Sequence, residues 1–161
     1  MMARYNRWAI ERLYEAVAGL PDADYRADRG AFFGSLQGTL NHLLVADRIW
    51  MRRFSGDGPT YTRLNEILHD DLAELREARR AEDARIVAHV DGLGPSDLSG
   101  TIAFRTIVRP DGITQLRSDA LAHFFNHQTH HRGQAHALVT AIAGRDAMPS
   151  LDLIVYQREL G

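Results

Sequence analysis

Five of the eight histidines in this sequence lie in one short stretch, HFFNHQTHHRGQAH, at residues 123–136. The stretch has the pattern of a helix, in which residues three or four positions apart share a face. His127 and His131 are therefore neighbours one turn apart, while His136 points to the opposite side. Two imidazoles at positions i and i+4 form a platform for a transition metal. The spacing predicts one metal site rather than five equivalent histidines.

The two histidines occupy the centre of the apolar face of this helix. The apolar residues at spacings of three and four are Leu116, Ala120, Phe124, Ala135, Leu138 and Ile142, and His127 and His131 fill the gap in register. An unpartnered buried polar group costs about 1–3 kcal/mol, so two adjacent imidazoles on a core face need a common partner. Either a metal or hydrogen bonds from backbone or water supply it. His123 and His130 lie off the centre of this face and are not expected to ligate.

A third ligand has to come from another helix. Outside the cluster the sequence offers His42, His69 and His89. His42 lies mid-helix beside an apolar stripe, whereas His69 and His89 lie among charged residues and are expected to face solvent. We therefore predict a metal site formed by His42, His127 and His131. Three neutral imidazoles leave a fourth position open, as in catalytic rather than structural zinc sites.

The donor set restricts the metal and the mechanism. The sequence contains no cysteine, so thiolate ligands and thiolate nucleophiles from the chain are excluded. Imidazole donors suit zinc, nickel or iron, and one such divalent ion is the expected cofactor. The run His127-Gln-Thr-His-His131 lacks the glutamate of HExxH peptidases, so their built-in general base is not predicted.

Two polar residues near this set are candidates to support it. Gln134 falls on the face of His127 and His131, where it either hydrogen-bonds a ligand imidazole or lies at the edge of the bundle. Asp47 interrupts the apolar stripe of the preceding long helix. Because a buried carboxylate needs a partner, Asp47 is expected either to form a structural ion pair or to support the metal site.

Helical periodicity defines the elements that must position these residues. We predict helices over residues 2–19, 35–54, 62–90 and 116–142, a loop over 22–34 and a short C-terminal helix over 151–159. Ser35 is the expected N-cap of the second helix. The segment TIAFRTIVRPDGITQL at 101–116 is rich in β-branched residues around an RPDG turn signal and predicts a short β-hairpin. The expected fold is all-α, a four-helix bundle with a long crossover that carries this hairpin, in a single domain over 1–161.

The predicted third helix has one apolar face, which includes Leu64 and Ile67, and one charged face. The charged face offers three pairs at helical spacing, Glu77/Arg80, Arg79/Asp83 and Glu82/Arg85. Each pair contributes only a few tenths of a kcal/mol. The run indicates a solvated face rather than a surface for a partner.

Composition restricts the class of function further. The chain has 161 residues, 45% of them hydrophobic, and a formal net charge of −2. No basic cluster suggests nucleic-acid binding, and no apolar run approaches the ~18 residues that cross a bilayer. The charged start of the sequence also lacks the apolar core of a signal peptide. We expect a cytoplasmic protein that binds neither nucleic acid nor membrane.

Several segments together resemble a known family. LNHLLVADRIW and HFFNHQTHHRGQAHALVT, with the NRWAIERLYEAV opening, the hairpin segment and the DLIVYQRE ending, are similar to the DinB/YfiT-like superfamily. The resemblance implies a metal held by one histidine of the second helix and two of the last long helix, positions that match His42, His127 and His131. It also implies a homodimer. Some members are transferases or isomerases that use a low-molecular-weight thiol such as mycothiol, bacillithiol or glutathione.

These observations favour a metal-dependent enzyme that acts on a small-molecule substrate together with a low-molecular-weight thiol, of the thiol-transferase type. Two alternatives stay open: a metal-dependent hydrolase that uses metal-bound water, and a non-catalytic metal-binding protein. A substrate-sized pocket beside the open metal position, and binding of a thiol there, would separate the first hypothesis from the others.

Overall fold

The computed structural model describes residues 1–106 and 111–161. Most of these residues are helical, which confirms the all-α prediction. The elements in chain order are α1 (Met2–Ala18), α2 (Asp22–Arg26), α3 (Leu36–Ser55), α4 (Leu72–Asp91), α5 (Pro95–Ser99), β1 (Thr101–Phe104), β2 (Ile113–Leu116), α6 (Arg117–Ala143) and α7 (Leu153–Glu159), with one 3₁₀ turn at Arg145–Ala147. The short α2 lies within the segment that was predicted to be a loop. No helix in the described part of the chain is long and apolar enough to cross a membrane.

The four long helices form the bundle. Helix α1 packs against α4 and α6, and α3 packs against the same two helices, so α1 and α3 lie on one diagonal. The predicted N-cap of α3 is confirmed, because the Ser35 side chain accepts a hydrogen bond of 3.0 Å from the Gly38 N–H. The chain then passes from α4 to α6 through the predicted crossover.

The crossover contains the predicted antiparallel hairpin. Thr101 pairs with Leu116 at one end of the two strands, and Phe104 pairs with Ile113 at the other. The predicted strand residues at 107 and 108 and the first half of the RPDG turn lie outside the described residues. Leu116 was expected to begin the apolar face of the last long helix. It instead ends β2 and is 45% exposed, because α6 starts one residue later.

The predicted start of the third helix at residue 62 is wrong. Helix α4 begins at Leu72, and residues 56–71 form an irregular connection. Leu64 and Ile67, which were expected on the inner face of a helix, are 48% and 49% exposed in this connection. The apolar spacing that suggested a helix therefore belongs to a segment that follows a different path.

Side chains explain why the helix starts late. The Asn41 Oδ1 accepts hydrogen bonds from the backbone N–H groups of Leu68 (2.8 Å) and His69 (3.1 Å), and its Nδ2 donates to the His69 carbonyl. Asp71 then caps α4 by accepting from two backbone N–H groups of its first turn. Because these side chains satisfy the backbone polar groups, the connection needs no helical hydrogen bonds.

Buried polar residues separate two apolar clusters. One cluster contains residues such as Leu13, Leu40 and Leu138, and the other contains residues such as Met51 and Phe124. On each long helix, buried polar residues lie in the sequence between members of the two clusters. They are Asn6 on α1, Asp47 on α3, Arg79, Glu82 and Asp83 on α4, and Gln128, His131 and Arg132 on α6. The bundle therefore has a polar middle layer.

The charged face of α4 is not wholly solvated, contrary to the prediction. Arg79 is 1% exposed and donates hydrogen bonds to Asp47 Oδ2 at 2.5 Å and to Asp83 Oδ1 at 2.9 Å. The carboxylate from α3 accounts for the burial, since a buried guanidinium requires an anionic partner. Asp47 thus forms the structural ion pair that was one of its two expected roles.

Candidate metal centre

The packing of α3 against α6 brings the three predicted ligands together. His42 on α3 meets His127 and His131 on α6, and one ring nitrogen from each lies within 4.8 Å of the others. The distances between ring centroids are 4.4–5.3 Å. His42 and His131 are buried and His127 is half-buried. The three imidazoles form a group that could hold one metal ion.

Hydrogen bonds determine which nitrogen of two of these rings carries the proton. The Nδ1 of His42 lies 2.8 Å from the backbone carbonyl oxygen of Leu64, and a carbonyl can only accept. The Nδ1 of His131 lies 2.8 Å from Oε1 of Gln134. Both Nδ1 atoms therefore act as N–H donors, and each Nε2 keeps a lone pair for a ligand.

The two free nitrogens face each other. Nε2 of His42 and Nε2 of His131 are 3.3 Å apart. Two lone pairs at this distance repel, so the arrangement calls for a proton or a cation between them. Two nitrogens bound to zinc at about 2.0–2.1 Å with a tetrahedral angle are about 3.4 Å apart. The site therefore fits a divalent transition metal.

Burial keeps these histidines neutral. Burial, with a smaller contribution from the neighbouring imidazoles, lowers the pKa of His42 to about 4 and that of His127 to about 3, although the hydrogen bond to the Leu64 carbonyl opposes the change at His42. The pKa of His131 is also lowered by burial, while its hydrogen bond to Gln134 opposes the change. Near neutral pH all three rings are in the unprotonated form that binds metals.

Gln134 makes the contact that the sequence left as one of two possibilities. Its Oε1 accepts from His131, and its Nε2 lies 3.2 Å from Nε2 of His130, which accepts from it. Gln134 therefore orients the candidate ligand His131 and connects it to His130. Asp47 has no hydrogen bond to the three histidines in the described part of the chain, and its partner is Arg79.

The other histidines lie outside the three-residue group. His123 lines the adjoining pocket, with its ring centroid 5.0 Å from that of Trp50. His89 was expected to face solvent, but it is half-buried because its ring packs against Phe54. His69, which was also expected to face solvent, is likewise half-buried, with its Nδ1 3.7 Å from a carboxylate oxygen of Glu74.

An aromatic ring that the sequence analysis did not identify covers one side of the group. The Phe33 ring stacks on His42, with centroids 3.7 Å apart and an angle of 19° between the planes. Its loop approaches α3 closely at Gly38, where a Cβ atom would lie 2.1 Å from the Phe33 carbonyl oxygen. Gly38 lies in the first turn of α3, four residues after the end of the FFG segment. A glycine at this place in a helix is the signal that could have indicated the close approach.

A pocket of about 410 Å³ opens beside His42 and His127. Its walls are mostly apolar and come from α3, the 56–71 connection, the hairpin and α6. The apolar lining residues are Ala46, Ile49, Trp50, Leu64, Phe104 and Ile113, and the polar ones include Arg53, Gln115, Asp119 and His123. The volume suits a small organic molecule.

Comparison with known proteins agrees with the resemblance seen in the sequence. A family model described as the DinB family matches residues 1–157. The chain is also similar to Protein DinB of Bacillus subtilis (strain 168), with 25% identity over 147 residues that cover 84% of this chain and 80% of that protein. The residues matched by the family model span the positions of all three histidines of the candidate metal centre.

Proposed function

We propose that this chain, which belongs to the DinB family, is a divalent-metal-dependent enzyme that acts on a small molecule with a low-molecular-weight thiol as co-substrate. The metal ligands are His42, His127 and His131. One observation carries the proposal. Two imidazoles with protonated Nδ1 atoms direct their free Nε2 atoms at each other across 3.3 Å, next to a third imidazole and a pocket.

The surrounding residues prepare this site for chemistry. Leu64 and Gln134 hold the rings of His42 and His131 in a fixed orientation, and Phe33 covers the His42 ring. The three neutral ligands leave the positive charge of a bound ion uncompensated. When bound, a divalent metal lowers the pKa of a thiol or polarises an electrophile at its open position. The mostly apolar walls of the pocket adjoin that position.

Two features of the chain favour a thiol co-substrate, the absence of cysteine and the pocket beside the candidate metal centre. It contains no cysteine, so a thiol nucleophile has to come from solution. The pocket beside His42 and His127 provides space for such a molecule and for a second reactant. A hydrolase and a non-catalytic metal protein are the competing functions, and the two experiments below separate the thiol-dependent enzyme from both of them.

The first experiment measures metal binding by protein purified without a histidine tag. Metal-stripped protein is titrated with zinc, nickel and iron(II), and we expect one ion per chain. The triple variant His42→Ala, His127→Ala, His131→Ala is expected to lose this binding. His136→Ala, on the same helix but outside the group, serves as the matched control and should keep it. Stoichiometric metal in the triple variant would overturn the proposal.

The second experiment tests the thiol. Zinc-loaded protein is titrated with mycothiol, bacillithiol and glutathione by calorimetry, with the zinc-treated His131→Ala variant as control. We expect one of the three to bind to the loaded protein and none to bind comparably to the variant. If no thiol binds but the metal does, the thiol-dependent activity is excluded and the hydrolase and the non-catalytic protein are left.

A further inference from the structure

Arg53 lies in the wall of the pocket beside the candidate metal centre. Its guanidinium carbon is 4.4 Å from the ring centroid of Trp50 and 4.6 Å from that of Phe104. Cation–π contacts of this kind position a guanidinium without using its N–H donors. The two aromatic rings therefore hold Arg53 in place and leave its hydrogen-bonding capacity for another group.

Arg53 has no anionic partner within the described residues. No ion pair or hydrogen bond there includes it, whereas nine other arginines among the described residues form ion pairs. Asp119 lines the same pocket, but it is exposed and makes no ion pair with Arg53. Burial lowers the pKa of Arg53, which reflects a desolvated cation without a compensating carboxylate. An anionic ligand would supply the counter-charge and the hydrogen-bond acceptors that this half-buried guanidinium lacks.

The position of Arg53 along α3 sets the length of such a ligand. His42 and Arg53 lie on the same helix, eleven residues apart. The side chain of Arg53 reaches back over the preceding turn, as long helical side chains do, and contacts the Trp50 ring. At 1.5 Å per residue, the level of Trp50 is about 12 Å from that of His42 along the helix axis. The imidazoles of His42 and His127 and the guanidinium thus lie towards opposite ends of the pocket, with Ala46 and Ile49 between them, whereas His123 lies beside Trp50 at the guanidinium end.

We propose that Arg53 recognises a carboxylate, and that the substrate class of this pocket is a small molecule with a carboxylate at one end and its reacting group at the other. The placement of the reacting group rests on the proposed function, because it assigns the histidine end of the pocket to the chemistry. The planar fork of the guanidinium matches the two oxygens of a carboxylate. The apolar walls between the two ends accommodate a hydrocarbon body.

The test compares a carboxylate with its uncharged isostere on metal-free protein, since a carboxylate also coordinates metals. The probes are 4-phenylbutyrate and 4-phenylbutanamide, titrated by calorimetry after the chelator has been dialysed away. We expect the wild type to bind the carboxylate about tenfold more tightly, the lower range for a hydrogen-bonded charge. Arg53→Gln should remove this preference. Arg105→Gln removes an exposed charge next to Phe104 but outside this pocket, so it should keep the preference.

Three results would overturn the inference: equal affinity of the two probes for the wild type, no binding of the carboxylate, or an unchanged preference in Arg53→Gln. If Arg53→Gln does not fold, the wild-type comparison and Arg53→Lys, which keeps the charge but loses the planar fork, still decide the question. Zinc titration of the wild type separates this inference from the proposed function. A wild type that does not bind zinc would contradict the metal centre alone. A wild type that does not prefer the carboxylate to the amide would contradict the role of Arg53 alone.

Discussion

An imidazole can ligate a metal only through a nitrogen with a free lone pair. In His42 and His131, a hydrogen-bond acceptor holds the proton on Nδ1 and so leaves the lone pair of Nε2 free. The carbonyl of Leu64 fixes His42 from the connection between α3 and α4, and the side chain of Gln134 fixes His131 from within α6. Helical spacing predicted the place of Gln134 on this face and left its contact with a ligand as one of two possibilities, which the structure confirms. The contribution of Leu64 was not predicted, because periodicity placed this residue inside a helix, where its carbonyl would have been used.

The hydrogen bond from His131 to Gln134 should affect metal affinity. Gln134→Met removes the acceptor at similar side-chain size, and we expect zinc affinity to fall about tenfold, as is typical when the partner of a ligating histidine is lost. Gln134→Glu keeps an acceptor and should retain the affinity. Competition titration with a zinc indicator measures both variants. Equal affinities of Gln134→Met and the wild type would show that the contact does not orient the ligand.

The half-buried, neutral His127 should make the metal-free protein sensitive to acid. Its pKa is about 3 in the folded state, because burial penalises the charged ring, against about 6.5 in the unfolded chain. The folded state thus binds fewer protons, so the contribution of His127 to stability is present above pH ~6.5 and is lost as the pH falls towards about 3. Urea unfolding of the wild type and of His127→Gln should show that the wild type loses more stability over this range.

The comparison with His127→Gln is needed because Asp47 titrates in the opposite sense. Burial raises the pKa of Asp47 to about 7, although Arg79 opposes this. A raised carboxylate pKa gives stability that is lost as the pH rises. Both proteins contain Asp47, so its effect cancels in the difference. Parallel stability curves of the two proteins between about pH 3 and 6.5 would contradict the burial of a neutral His127.

At the level of elements, the sequence predicted the hairpin and the helices that carry the candidate ligands, but it did not predict the structure of residues 22–34 and 56–71. The periodicity of α1, α3 and α6 reflects faces that are buried in the bundle, so spacing predicted the approximate bounds of these helices. Spacing also placed His42 on a face that can contact His127 and His131. The 56–71 connection owes its path to the side chain of Asn41 on another element. Such a long-range contact leaves no periodic signal. The same holds for Phe33, whose stacking on His42 depends on how its loop meets α3.

The approach of the Phe33 loop to α3 gives a prediction about two glycines. In Gly38→Ala the new Cβ would lie 2.1 Å from the Phe33 carbonyl oxygen, so the loop has to move. We expect a loss of about 1–3 kcal/mol in unfolding free energy, as for other overpacked sites. Gly133→Ala on α6 is the matched control, because nothing lies within 4 Å of its Cβ. It should gain about 0.5–1 kcal/mol from better helix propensity.

Urea denaturation measures both glycine variants, and zinc titration of Gly38→Ala reports whether the displaced Phe33 disturbs His42. If Gly38→Ala and Gly133→Ala were equally stabilising, the close contact between the loop and α3 would not exist in solution. The contrast between the two positions is informative because the substitution and the secondary structure are the same in both.

For the molecule as a whole, the candidate metal centre lies in a bundle that has its own core. The two apolar clusters draw on all four long helices, and neither includes a candidate ligand. In the layer between the clusters, the buried ion pair of Arg79 with Asp47 connects α4 to α3, and Arg79 also pairs with Asp83 within α4. The sequence indicated an aliphatic core but not this layer, because Arg79 and Asp83 form a spacing that is equally typical of a solvated surface.

This organisation predicts that the metal-free protein stays folded. Apolar burial on both sides of the polar layer does not depend on the three histidines, unlike a zinc finger, in which metal binding and folding are one event. A metal present at about 1,000 times its dissociation constant adds about 4 kcal/mol. At ~2–4 °C per kcal/mol for a chain of this size, chelation should lower the melting temperature by roughly 10 °C.

Circular dichroism should show the helical signal unchanged at 25 °C and the melting curve shifted. The variant that lacks His42, His127 and His131 should melt at the same temperature with and without chelator. If chelation instead abolishes the helical signal, the metal is structural, and the enzyme proposed above loses its basis.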